Sequence, residues 1–93
     1  MNIQNLMRQA QKMQKEIESK KNNLQKQEFN FEHQGVSLTM LGNYQIKKLT
    51  IDKNLVDPED VELLEDFITL VINNAVEKIS EEHENIMPKQ ESL

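Results

Sequence analysis

Residues 28–51, EFNFEHQGVSLTMLGNYQIKKLTI, decide the fold. Phe29 and Phe31 alternate with Glu28, Asn30 and Glu32, and Val36, Leu38 and Met40 alternate with Ser37 and Thr39. Period-two patterning of this kind, broken at Gln34-Gly35 and again at Gly42-Asn43, predicts three antiparallel strands joined by tight turns. Tyr44 and Ile46 share one parity and Leu49 and Ile51 the other, so a bulge or a change of buried face is expected at Lys47-Lys48. Both glycines of the chain fall in these turns, where a positive φ is expected of them. The two phenylalanines alternate with acids rather than with basic residues, which reads as core rather than as a platform for stacking bases.

Upstream of the strands, residues 2 to about 27 contain neither Gly nor Pro and are rich in Gln, Lys and Glu. Ile3, Leu6, Ala10, Met13, Ile17 and Leu24 recur at heptad-like spacing, interrupted near Lys20 and widened at the start by Met7. The expectation is a long, thin helix whose narrow stripe covers one neighbouring helix. Downstream, Asp57-Pro58 is expected to open a second helix, with Asp57 as N-cap, Pro58 in the first turn, and Glu59, Asp60 and Glu62 at the positive end of its dipole. It is read as running to about Asn85, before Pro88. In its first half Val61, Leu63, Leu64, Phe67, Ile68, Leu70, Val71 and Ile72 spread over an arc of roughly 200° at ~100° per residue. That half needs two apolar neighbours: the sheet, and the same surface of a second chain. Leu63, Phe67, Leu70 and Val71 are the expected dimer contacts. The thinner second half, with Ala75, Val76, Ile79 and Ile86, is expected to lie against the first helix beyond the sheet as a protruding pair. The fold class is therefore α+β: long N-terminal helix, three-stranded antiparallel sheet, long C-terminal helix. It forms one domain over 1–87 with a short tail over 88–93, and it is expected to be an obligate symmetric homodimer.

Charge is distributed unevenly along this plan. The first 27 residues carry Arg8, Lys12, Lys15, Lys20, Lys21 and Lys26 against only Glu16 and Glu18, a net of +4. The other 66 residues carry five basic and fourteen acidic side chains, a net of −9, giving the chain total of −5. One positive element on a negative body is expected to handle a polyanion or another copy of the chain. With ten lysines to one arginine, contact with nucleic acid should be directed at the backbone rather than at base edges. Arg8, Lys12 and Lys15 share one side of the first helix, while Lys20 and Lys26 are read as drifting off it.

Composition narrows the remaining classes. Cysteine is absent, which removes disulfides and thiolate metal sites. His33 and His83 show no metal-ligand spacing and read as isolated surface side chains. No phosphate-cradling glycine loop, dinucleotide fingerprint or nucleophile elbow is present. Neither an enzyme nor a cofactor, metal or small-molecule substrate is expected. No apolar run approaches the ~18 residues of a membrane span, and the first residues lack a signal-peptide stretch, so a soluble cytoplasmic protein is expected.

Asn5-Leu6-Met7-Arg8-Gln9-Ala10-Gln11-Lys12-Met13-Gln14 resembles the opening helix of the YbaB/EbfC nucleoid-associated proteins. The likeness continues at Leu49-Thr50-Ile51-Asp52-Lys53-Asn54-Leu55, at Leu64-Glu65-Asp66 and at Ile72-Asn73-Asn74-Ala75, covering about residues 3–80. The resemblance implies a helix–three-strand–helix fold dimerised into a tweezer-like shape that binds double-stranded DNA with little sequence preference in the bacterial nucleoid. It also implies DNA contact by the helical arms, on which Arg8, Lys12 and Lys15 stand. The candidate DNA-binding set is these three with Lys20, Lys21, Lys47, Lys48 and Lys78. The chain departs from the family pattern in two places: the 35–42 segment is less glycine-rich, and the glycine-, proline- and methionine-rich tail of many relatives is reduced to Met87–Leu93. The competing reading is a helical protein–protein adaptor that never touches DNA.

Overall fold

The computed structural model describes residues 2–86. Helix α1 (Ile3–Lys26) leads into strands β1 (Glu28–His33), β2 (Val36–Leu41) and β3 (Ile46–Ile51), then a single 3-10 turn (Lys53–Leu55) and helix α2 (Val61–Ile86). The strands form one antiparallel sheet in the order β1-β2-β3. This is the α+β architecture that the alternation and heptad spacing predict. The proposed tail, 88–93, lies outside the described residues.

The β1–β2 hairpin closes through Gln34 and Gly35, with φ of 46° and 96°. Positive φ at both central positions is the pattern of a type I′ turn, which suits the twist of the flanking strands. Gln34 has a Cβ and no local side-chain bond to offset this conformation, whereas Asn tolerates it well. Gln34→Asn is therefore expected to raise unfolding stability by about 0.5–1 kcal/mol, read as a higher denaturation midpoint at unchanged m-value. The expected bulge lies at Lys47: Thr39 pairs with Lys48 and Met40 with Ile46, which leaves Lys47 as the extra residue.

One face of the sheet carries the core. Val36, Leu38 and Met40 of β2 are buried against Val71, Ala75 and Ile79 of α2, with Phe29, Phe31, Leu64, Phe67, Ile68 and Ile72 packed around them. These α2 residues recur every fourth position, and Ala75 at the centre lets the helix axis approach the strands. This arrangement corrects the expected division of labour in α2. The most deeply seated stripe straddles the two halves, from Val71 in the first to Ala75 and Ile79 in the second, and only the last turns of α1 meet the end of the helix. The start also differs: α2 begins at Val61, because Asp57 closes a separate turn. There its Oδ1 accepts from the Glu59 amide at 3.0 Å and its carbonyl accepts from the Asp60 amide at 3.0 Å.

The helix covers β1 and β2 and leaves β3 bare. Ile46 and Leu49, whose register partners are the core residues Met40 and Leu38, are 48% and 40% exposed. On α2 itself, Leu63 and Leu70 stand on the flank of Phe67, which meets His33 of β1 edge-on at 5.0 Å. Val76 stands on the other flank, toward Ser80. Of the four residues expected to meet a second chain, Val71 is buried in the chain's own core and Phe67 is half-buried against it. Leu63 and Leu70 are exposed.

Candidate nucleic-acid interface

Helix α1 departs from the rest of the fold as a rod. Its 24 residues span about 36 Å at 1.5 Å per residue, and Leu24 alone of its side chains is buried. The radius of gyration is accordingly 19.7 Å, against about 12 Å for a compact domain of this length. The helix survives exposure because its sequence contains no breaker and its ends are capped. The Asn2 side chain accepts from the Gln4 amide at 3.1 Å, and Lys26 lies in the last turn, next to the negative end of the dipole.

Projected down the axis, Arg8, Lys12 and Lys15 fall within about 60° of one another, on the side opposite the apolar stripe. Lys26 joins them. It lies 18 residues beyond Arg8, which is five full turns, so the expectation that it drifts off this face is corrected. The signal was present in the spacing. Arg8, Lys12 and Lys15 are exposed, and none has an ion-pair partner among the described residues. Together they form a ridge about 10 Å long, enough to face three successive phosphates of one strand at 3.4 Å each.

The other candidate cations are dispersed. Lys20 and Lys21 flank the apolar stripe, and Lys20 lines a crevice with Asn23, Leu24, Gln27, Glu82 and Ile86 where the arm meets α2. Lys47 is ion-paired with Glu28, and Lys78 with Glu82 at 3.3 Å one turn away. Both pairs are exposed, so each is worth at most about 1 kcal/mol and exchanges readily for phosphate. Lys48 is exposed on β3, opposite Thr39. Helix α2 presents the contrasting surface, with seven carboxylates and one lysine.

The root of the arm is a junction that sequence reasoning missed. Gly42 donates its amide to the Gln27 carbonyl at 2.9 Å. A Cβ at Gly42 would lie 1.7 Å from the Leu24 carbonyl oxygen. Its φ is not positive; Tyr44, at 69°, takes the left-handed conformation in that turn instead. The glycine is needed for close approach rather than for conformation. His83 is not an isolated surface residue: it is part-buried, with Nε2 2.7 Å from the Gly42 carbonyl oxygen and its ring stacked on Tyr44 at 5.5 Å. The Tyr44 hydroxyl lies 3.0 Å from Ser80 Oγ. His33 is likewise half-buried, against Phe67. Nothing in the sequence spacing links residues 24, 42 and 83; only the folded topology does. Among the described residues, no three of His, Asp and Glu cluster as metal ligands, and no helix is long and apolar enough to cross a membrane.

A family profile described as the YbaB/EbfC DNA-binding family matches residues 1–91. A nucleoid-associated protein of Mycoplasmopsis pulmonis is 48% identical over 86 residues, covering 92% of this chain and 86% of its own. Another, from Metamycoplasma arthritidis, is 38% identical with 96% and 94% covered. A third, from Enterococcus faecalis, is 40% identical with 95% and 86% covered.

Proposed function

Because this chain belongs to the YbaB/EbfC DNA-binding family, we propose that it acts as a homodimer gripping double-stranded DNA with little sequence preference through the basic ridges of its two α1 arms. The observation that carries this reading is the ridge itself: Arg8, Lys12 and Lys15 on one side of an exposed rod, with Lys26 in line, while the carboxylates crowd α2. Three lysines and a single arginine at helical intervals offer charge to a phosphate track with only one planar fork among them, which supports binding indifferent to sequence. The place of action is the nucleoid, in keeping with the names of the relatives. The family is a DNA-binding one rather than an enzymatic one.

A second copy is supported by how little one chain buries. Among the described residues, six side chains besides Leu24 form the fully buried core, and Ile46, Leu49, Leu63, Leu70 and Val76 stay exposed around it. A core of this size leaves a small domain marginal, and covering those strips with the partner's equivalents would complete it.

Retention on a random-sequence duplex column tests the reading. Three or four cations from each of two arms correspond to six to eight neutralised phosphates, and hence a slope of log affinity on log salt of about −5 to −7. The chain is expected to bind in dilute salt and to elute as salt rises. Flow-through at low salt would favour the protein-adaptor reading instead.

A further inference from the structure

Over its outer two heptads the apolar stripe of α1 has no partner among the described residues. Ile3, Leu6, Met7 and Met13 are between 51% and 71% exposed. Ala10, Met13 and Ile17 line a shallow open groove with Gln14, Glu18 and Lys21. A stripe of this width fits one further helix.

The flanking residues identify that helix. With Ile3, Ala10 and Ile17 at the a positions and Leu6 and Met13 at d, the e positions hold Met7, Gln14 and Lys21, and the g positions hold Gln9 and Glu16. In a parallel pair of identical helices, a g residue meets the e residue five positions later on its partner. Gln9 then faces Gln14 and Glu16 faces Lys21, each twice by symmetry. An antiparallel pair sets e against e and g against g. The e set contains no acid and the g set no base, so that arrangement matches no opposite charges.

We propose that the α1 stripe is a zipper for the α1 of a second copy, parallel and in register, which closes between neighbouring dimers on DNA. The inference rests on the DNA reading above, and the axial projection makes the two compatible. The stripe and the Arg8–Lys12–Lys15 ridge are centred about 170° apart, so the side that holds phosphates is not the side that pairs. Two heptads are too short to associate at cellular dilution. Alignment along a duplex supplies the effective concentration that closes them. The arms thereby link adjacent dimers into a cooperative array.

The full chain contains no cysteine, which makes cross-linking direct. Met13→Cys sets a thiol at an exposed d position, within disulfide reach of its equivalent only in the parallel register. Ser19→Cys sets one on the phosphate-facing side, opposite the stripe, as a control. On a long random-sequence duplex in dilute salt, Met13→Cys is expected to oxidise to a covalent pair about a hundredfold faster than without DNA. Ser19→Cys should stay slow. Adding Glu16→Lys to Met13→Cys should slow the reaction, and adding Lys21→Glu as well should restore it. On a duplex of about one helical turn, which seats one dimer, the acceleration should vanish. Protein that binds the long duplex yet cross-links no faster than Ser19→Cys would overturn the zipper and leave the DNA reading standing. Equal acceleration on the short duplex would place the pair within one dimer and overturn the link between dimers. Failure of the wild-type chain to bind duplex at all would overturn both.

Discussion

Replacing Arg8, Lys12 and Lys15 together with glutamate is expected to lower duplex affinity by roughly a thousandfold or more while leaving the hub folded and self-associated. The change removes three cations per arm and sets three carboxylates against the phosphates, so in a two-armed assembly six favourable contacts become repulsive. Six phosphate contacts carry a salt slope of about −5, and their loss should flatten the dependence to near zero. These side chains are exposed and make no ion pair among the described residues, so their replacement strips nothing from the core. Glutamate also keeps a high helix propensity. Mobility shifts across a salt series, with sedimentation and far-UV dichroism on the same samples, would check all three claims. Binding that survives with its salt slope intact would move the interface off α1. Lys48 and, once their ion pairs exchange, Lys47 and Lys78 would then be the remaining candidates.

Gly42→Ala is expected to be the most damaging single substitution in the chain, costing at least about 3 kcal/mol of unfolding free energy. The new Cβ would lie 1.7 Å from the Leu24 carbonyl oxygen and 2.6 Å from its carbon, and both are backbone atoms of the helix that cannot rotate aside. Nor can Gly42 retreat freely, because its amide is bound to the Gln27 carbonyl and its own carbonyl to His83. Relief requires the arm to lift off its seat, which exposes Leu24 and breaks those bonds. Denaturant unfolding should show the lower midpoint, and limited proteolysis should cut near residues 24–28 before anything else. An unchanged midpoint would mean that the arm root is not held at this point.

The elements themselves were legible in the sequence wherever one periodicity ran unbroken. The alternation through Phe29, Phe31, Val36, Leu38 and Met40 set the strands and their core face, and the parity change set the bulge at Lys47. The seam from Ile3 to Leu24 set α1. Failures came where local chemistry has two outcomes. Asp57-Pro58 suits a helix start and equally suits a turn, and the structure uses it for the turn. In α2, hydrophobicity alone pointed to the apolar-rich first half, but the sheet selects the stripe whose small central residue permits close approach, Val71-Ala75-Ile79. The candidate interface was legible in part: charge counting picked out the arm, and helical projection the ridge along it. The pairing of Lys47 with Glu28 and Lys78 with Glu82 depends on rotamers and on strands distant in sequence.

The junction of Leu24, Gly42 and His83 has a mechanical consequence. A rod of about 36 Å fastened along its final turn of about 5.4 Å is a lever of nearly sevenfold gain. A half-ångström adjustment at the fulcrum swings the far tip by roughly 3 Å, comparable to one nucleotide step along a strand. In the homodimer proposed above, small compliance beside Gly42 would become a wide choice of gape, so that two stiff arms would follow narrow and broad grooves alike without disturbing the core beneath.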